Sequence, residues 1–509
     1  MPHVPCNLLD MNQMHPFSKS ASLVIASVKV LACILALILG INNSFATSYD
    51  LVLEGGRVID PESKLDAKSN VGISDGIVQI VTTDSLAGKE VLDVSGLIVA
   101  PGFIDLHSHA ALTIAGQKYQ ARDGVTTALE LEGGRFPIDQ SLAPLQNKAI
   151  INYGVSVGYI SVRGAVKGSF SKGFSESVND QEMESVLKLM ENGLHNGGIG
   201  IGYPLDYISS VVGENELHKG FDFAARNNVT IFIHMRRGAF PGDTSGLKEV
   251  LQVARQTGAS VHICHINSNA LSGIEKFLKL VRMAQSDGLD VTVEAYPYTA
   301  SSTFIGAEVF DRDWQSIYEI SYGDIEWPLT GERFTKETWE EYRAKYRNDR
   351  SKNIVNHNNS EGFLEKSLKD PIVMIASDAM QMEEIGSRVH PRTTGTYARF
   401  LGRYVREKQL IDWMEAIRKT SLMPALRLQG SVPAMKKKGR IQVGSHADIT
   451  VINPNTVIDK ATFKDPNQFS EGIPYVLVGG HFVVKNNVLV DEGSSHGKVI
   501  LSGKPYLTH

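Results

Sequence analysis

Cysteine is scarce: the 509 residues hold three, Cys6, Cys33 and Cys264. Two of them precede residue 46, so a chain cut there keeps Cys264 alone, and one cysteine forms no internal disulfide. A disulfide scaffold is excluded, and a chain of this length can rest on its core instead. A strong charge of one sign is also lacking. The net charge of -5 gives no electrostatic footprint for nucleic acid, and the short basic run Lys436-Lys437-Lys438 reads as a solvated loop. Long apolar runs are missing too. Residues 22–40 are interrupted by Lys29, and the unbroken stretch Val30 to Leu39 is too short to span a bilayer. Lys19 and Lys29 precede that stretch, and the small-x-small pattern Ser44-Phe45-Ala46 follows it. The segment 1–46 therefore reads as a secretory signal peptide, with Met14 as an alternative start. The expectation is an exported, periplasmic protein with no stable membrane association after cleavage. The competing reading is an uncleaved anchor through residues 22–40. A lipoprotein site at Cys33 is disfavoured by its place inside the apolar run.

What is present beyond the leader falls into three regions. Residues 47–100 alternate short apolar runs with Glu54-Gly55-Gly56 and Ser74-Asp75-Gly76, both of hairpin type. Residues 430–509 return to strand-like sequence, as in ADITVINP and YVLVGGHFVVKNNVLV. The two are expected to join as one small β-sandwich. Between them, residues 101–429 alternate apolar strand patterns with helical stretches. The candidate strands are GFIDLHSH, VTTALELE, GVSVGYIS, GIGIGY, VTIFIHM, SVHICHI, DVTVEAYPY and PIVMIASD. Eight βα repeats predict a closed (β/α)8 barrel, an α/β fold. The stretch 306–368, rich in Trp, Tyr and charge, lies between the seventh and eighth strands and reads as an insertion or lid.

Metal-competent residues stand where barrel strands should end, and barrel active sites are built at those ends. His107 and His109 share a strand face two residues apart. His234 ends VTIFIHM, His265 ends SVHICHI and Asp378 ends PIVMIASD. Any one of these could be a structural histidine or a helix cap; five at strand ends point to a metal centre. Imidazole and carboxylate ligands suit one or two Zn2+ ions per chain, with manganese or iron tolerated. A two-metal site needs a bridging anion, and Glu132 and Glu130 are both candidates, since buried carboxylates are costly unless paired or bound to metal. Glu132 lies nearer the barrel top. His262 and Cys264 have the opposite parity to His265 and are expected to face the helices.

PGFIDLHSH, the lone histidines at strand ends five and six, and the aspartate at strand end eight resemble the amidohydrolase superfamily. DGVTT at 123–127, YPYTASST at 296–303 and HPRTTGTYARFLGRYVRE at 390–407 are similar to the D-aminoacylase branch, the N-acyl-D-amino-acid deacylases. So are AIRKTSLMPALRLQ at 416–429 and GSHADITVINP at 444–454. The resemblance implies that His107, His109 and Asp378 hold one metal and His234 and His265 the other. It also implies that Tyr296, Ser302 and Arg392 bind the substrate carboxylate, and it matches Tyr207 to a tyrosine after the fourth strand. His390 shares the Arg392 loop and is expected near the substrate. Three departures stand out. Glu132-Gly133-Gly134 replaces the branch's Asn-Cys-Gly, Met235-Arg236-Arg237 replaces Arg-Asp-Glu, and Asn267 replaces a lysine. GIGIGY offers no lysine to bridge metals from strand four.

The chemistry implied is hydrolysis of a linear amide in a small molecule, such as an N-acyl-D-amino acid like N-acyl-D-glutamate, or a small peptide. A metal-activated water attacks while Asp378 serves as general base and then general acid. Rival readings are a cyclic-amide hydrolase resembling dihydroorotase or hydantoinase, a dipeptidase for D-residues, and a barrel that binds without catalysis. The oligomeric state is not legible.

Overall fold

The computed structural model describes residues 48–490 and 495–503. The leader, with its signal and anchor readings, lies outside the described residues. Among these residues no helix is long and apolar enough to cross a membrane.

The chain opens with β1 (Ser48–Asp60), β2 (Leu65–Ser74), β3 (Ile77–Thr82), β4 (Ala87–Asp93) and β5 (Ile98–Pro101). Asp75 and Gly76 both take positive φ and join β2 to β3 in the expected tight turn. Glu54-Gly55-Gly56 makes no hairpin. It is a bulge inside β1, with Gly55 at φ 77° and the pairing to β2 shifting between Leu53 and Gly56. Both flanks of the triplet pair with the same neighbour, so an extra residue is absorbed rather than the chain reversed.

Eight strands follow in the barrel: β6 (Phe103–Asp105), β7 (Val125–Arg135), β8 (Asn152–Gly158), β9 (Ile201–Pro204), β10 (Thr230–His234), β11 (Ser260–Ile263), β12 (Val291–Ala295) and, after an insertion, a last one at Val373–Ile375. Each falls within or overlaps one of the eight apolar runs. All pair in parallel, each with its neighbours in sequence. The ends meet through a parallel bridge between Ser108 and Ala379 and the Ser377 N–H donated to Asp105. This is the (β/α)8 architecture.

The insertion carries β13 (Ser301–Phe304), β14 (Ile325–Trp327), β15 (Glu332–Arg333) and β16 (Asn353–Asn356) in an antiparallel sheet of its own. An aromatic cluster that includes Phe310, Trp314, Trp327 and Trp339 holds it together. The last barrel strand (Val373–Ile375) is β17. The chain then adds β18 (Ile449–Ile452), β19 (Tyr475–Val478), β20 (His481–Lys485) and β21 (Val488–Leu489). These extend the first five strands into one nine-stranded sheet through the antiparallel pairing of β5 with β18. Val78 donates to Ser445 and Ile77 bridges His446, so the sheet curls around an apolar cluster that includes Leu53, Val71, Val99 and Val451.

The apolar residues sort into two shells around the barrel. Ile231, Ile233, Val261, Ile263, Val293 and Val373 face the helices. Ile104, Leu129, Leu131, Phe232, Cys264 and Met374 form the interior and pack on Ala425, Leu428, Val432 and Met435. That apolar floor closes one end and leaves the strands' C-terminal ends to carry the chemistry.

Candidate active site

Glu132 is at the centre of the open end. Its Oε1 lies 2.9 Å from His234 Nδ1 and 2.9 Å from His265 Nε2. Its Oε2 lies 3.3 Å from His107 Nε2 and 3.5 Å from His109 Nε2. One carboxylate thus presents one oxygen to each histidine pair. Asp378 joins the first pair, its Oδ1 3.4 Å from His107 Nε2 and 3.6 Å from His109 Nε2. The structure therefore brings all six sequence-predicted ligands together. Glu130 stands aside, holding His109 Nδ1 at 2.9 Å and accepting the Gly133 N–H.

The backbone explains how the ligands converge. His234 alone ends a regular strand, while His107, His109, His265 and Asp378 lie beyond the paired residues of β6, β11 and β17. His265 and Asp378 take φ of 34° and 49°, a left-handed conformation costing roughly 1–2 kcal/mol for a residue with a Cβ. The turn swings each side chain back over the barrel mouth, which is strain spent at a functional position. Glu132 follows Leu131, which points into the barrel, so an unbroken strand would aim it at the helices. The register break between Glu130 and Arg135 turns it inward.

The same geometry corrects the parity reading of His262 and Cys264. Both face the barrel interior. His262 Nε2 lies 2.9 Å from Glu294 Oε2, and Cys264 packs among the interior apolar residues. His265 reaches the same space only because its backbone has left the strand. Glu294, which the sequence reading passed over, also binds His107 Nδ1 at 2.6 Å. A lone carboxylate inside the apolar run DVTVEAYPY is the signal that could have found it. Burial works against its charge, yet His107 and His262 draw its pKa down to about 2.

The donor set fits divalent cations. Glu294 fixes the His107 proton on Nδ1, which leaves a lone pair on Nε2. That atom is buried, has no hydrogen-bond partner and faces two carboxylates. A lone pair beside two anions is stable only with positive charge between them. Asn269 Oδ1, 3.0 Å from His265 Nδ1, fixes the second tautomer in the same way. The electrostatics agree. Burial opposes a charged imidazole at His107, but Asp378, Glu132 and Glu294 outweigh it and hold its pKa well above the ordinary value, so a proton takes that lone pair wherever no cation does. Burial also disfavours the Glu132 carboxylate, and His107, His234 and His265 hold it well below its usual range.

Beside this cluster opens a cavity of about 230 Å³. Tyr207 lines it, its ring 4.8 Å from that of His234 and its hydroxyl 2.9 Å from Thr303 Oγ1. Ser302 also lines it, but donates its hydroxyl to the Ile354 carbonyl and keeps only its lone pairs for a ligand. Arg392 and Tyr296 are buried one layer behind the wall. The Arg392 guanidinium packs 4.8 Å over the Tyr296 ring and pairs with Asp378 at 2.9 Å. His390 is corrected: it does not line the cavity, and both ring nitrogens are committed. Nδ1 accepts the Arg392 N–H and Nε2 donates to the Ala300 carbonyl, so the ring shapes the Arg392 loop. Among the cavity residues that went unread in the sequence are four charged ones, Arg135, Asp206, Arg237 and Arg350. Arg237 belongs to the Met235-Arg236-Arg237 departure, which was the available clue.

Several known proteins resemble the chain over most of its length. A model of the "Amidohydrolase family" matches residues 364–484. N-acyl-D-glutamate deacylase of Alcaligenes xylosoxydans xylosoxydans is 27% identical over 475 residues, 85% of this chain and 93% of the relative. Over most of its length the chain is similar to members of the amidohydrolase superfamily. D-aminoacylase of the same organism is 27% identical over 485 residues, 86% of this chain and 95% of the relative. A crystal structure of N-acyl-D-glutamate deacylase from Bordetella bronchiseptica, complexed with zinc and a phosphonate inhibitor, superposes with a TM-score of 0.76 at 24% identity. The match covers 89% of this chain and 100% of that one.

Proposed function

We propose that this chain is an amidohydrolase that cleaves the linear amide of small N-acyl-D-amino acids, with His107, His109, Glu132, His234, His265 and Asp378 as its metal ligands. The observation that carries the reading is the Glu132 carboxylate, with one oxygen on each histidine pair. Divalent cations held there would polarise the amide carbonyl and make a water acidic enough to attack near neutral pH.

The remaining steps belong to the chain's own groups. The Asp378 contacts to His107, His109 and Arg392 all fall on Oδ1. Oδ2 is the oxygen available to take the proton of the attacking water and return it to the leaving amine. The Arg392 pair keeps that carboxylate in place. Arg237, on the cavity wall and without a carboxylate partner among the described residues, takes the substrate's α-carboxylate through the N–H donors that Ser268 leaves free. Tyr207, packed against His234, orients the acyl arm.

The D-aminoacylase relatives support this substrate class over a cyclic amide, as does a strand β9 with no lysine. Export by residues 1–46 completes the proposal, and cell fractionation tests it. The substrate reading is tested by ninhydrin detection of amine released from N-acetyl-D- and N-acetyl-L-amino acids. Release from the D series at rates at least about tenfold above the L series is expected, a difference of ~1.4 kcal/mol between transition states. Equal rates, or release from neither series, would refute the substrate assignment.

A further inference from the structure

Arg350 is a cation at the cavity wall with no anion beside it. It stands just ahead of β16, at the end of the insertion, and it lines the cavity together with Phe174, Phe304 and Asn353. Its guanidinium lies 3.8 Å from the centre of the Phe174 ring, 5.7 Å from Phe170 and 5.8 Å from Phe304. Among the described residues no carboxylate pairs with it, and its Nε is buried without a hydrogen-bond partner. Burial lowers its pKa, and no charged neighbour offsets that.

The other charges near the cavity are differently placed. Arg392 pairs with Asp378, Arg135 lies 3.5 Å from Glu130, and Asp206 is taken by Arg312 at 2.9 Å. Arg237 donates to the Ser268 carbonyl and hydroxyl and lies over the Tyr318 ring. Two arginines thus line the cavity without a carboxylate partner, Arg237 on the loop after β10 and Arg350 on the insertion. Arg350 is half-buried, so part of its guanidinium, Nε above all, is withdrawn from water without a partner, which is costly. The aromatic faces hold its position through their negative quadrupoles but use none of its N–H donors. The fork is left pre-organised for a planar, bidentate acceptor.

We infer that Arg350, seated on Phe174, is a specificity-determining residue that recognises a second carboxylate on the substrate, in addition to the one next to the scissile amide. The substrate is then a dianion. The second acid sits either on the amino-acid side chain or at the far end of the acyl group, and the chemistry of recognition is the same for both.

Two assays test this on the full mature protein. The zinc-loaded enzyme is compared on two matched pairs. N-acetyl-D-glutamate against N-acetyl-D-glutamine probes the side chain, and N-succinyl-D-alanine against N-acetyl-D-alanine probes the acyl arm. Arg350→Met is expected to lower kcat/KM at least about tenfold for the acidic member of one pair, and to leave the neutral members within about threefold. The affected pair identifies where the second acid lies. Arg350→Lys, which keeps the charge and loses the fork, should retain part of the preference. Equal losses on acidic and neutral members, or no loss on either, would overturn the inference.

The kinetic arm rests on the proposed hydrolase reading; a binding arm does not. Calorimetric titration with glutarate should show affinity at least about tenfold weaker in Arg350→Met than in the wild type, whether or not any amide tested is cleaved. Unchanged affinity, or no glutarate binding to the wild type, would overturn it equally.

Discussion

Replacing Asp378 by Asn is expected to lower kcat by about 10²–10⁴-fold, the range that a positioned acid–base group contributes. The amide keeps the size of the carboxylate but cannot accept a proton from water at neutral pH. His107, His109, Glu132, His234 and His265 are untouched, so bound zinc should fall far less than turnover. The pair with Arg392, 2.9 Å apart and almost fully buried, is weakened by the same change. An uncompensated buried charge destabilises the fold, by about 3–5 kcal/mol where a partner is removed outright. The thermal midpoint is therefore measured beside kcat. A folded variant that holds zinc and has lost turnover is the expected result. Near-normal turnover would remove Asp378 from the proton path.

Glu132→Gln tests the bridge itself. Glutamine retains the shape and one carbonyl oxygen but loses the negative charge that both histidine pairs face. Zinc content should fall to one ion per chain or less. kcat/KM should fall by about three orders of magnitude, ~4 kcal/mol of transition-state stabilisation. The matching change at Glu130, which holds His109 Nδ1 and contacts none of the other candidate ligands' ring nitrogens at the centre, should be the milder one, within the 10–100-fold range typical of residues that orient a ligand. Metal content unchanged in Glu132→Gln but lost in Glu130→Gln would reverse the two roles.

The residue types of the centre were legible because each stands where an apolar run stops. Hydrophobic periodicity finds strands, and a histidine or aspartate at the end of one is conspicuous. The directions of the side chains were not legible. Parity holds only while the backbone is extended, and His265 and Asp378 sit in left-handed turns past the last paired residue. Inside a regular strand the interior face is set by register with neighbours, as Phe232, Met374 and Leu131 show. Sequence reading took that face from His265, the one residue of its run that does not obey it, and so turned His262 and Cys264 outward. Glu132 was found for its chemistry, but its inward aim depends on a register break that no local pattern announces.

The cavity wall was less legible than the metal cluster. Its residues come from distant segments, with Phe174 after β8, Arg237 after β10 and Arg350 from the insertion. Only the folded chain brings them together. The HPR motif pointed to Arg392 as a substrate binder; its guanidinium is buried against Asp378 and Tyr296, with Nε and Nη1 left without hydrogen-bond partners. A motif locates a residue in sequence; which partner it meets depends on packing.

The central claim is a centre in which Glu132 joins two cation sites. Metal analysis of the purified mature protein, before and after chelation and alongside amide hydrolysis, tests it most directly. More than one and at most two zinc ions per chain are expected, with hydrolysis lost on stripping and recovered as zinc is returned. A protein that binds no metal tightly, or that hydrolyses its amide equally well when stripped, would contradict it.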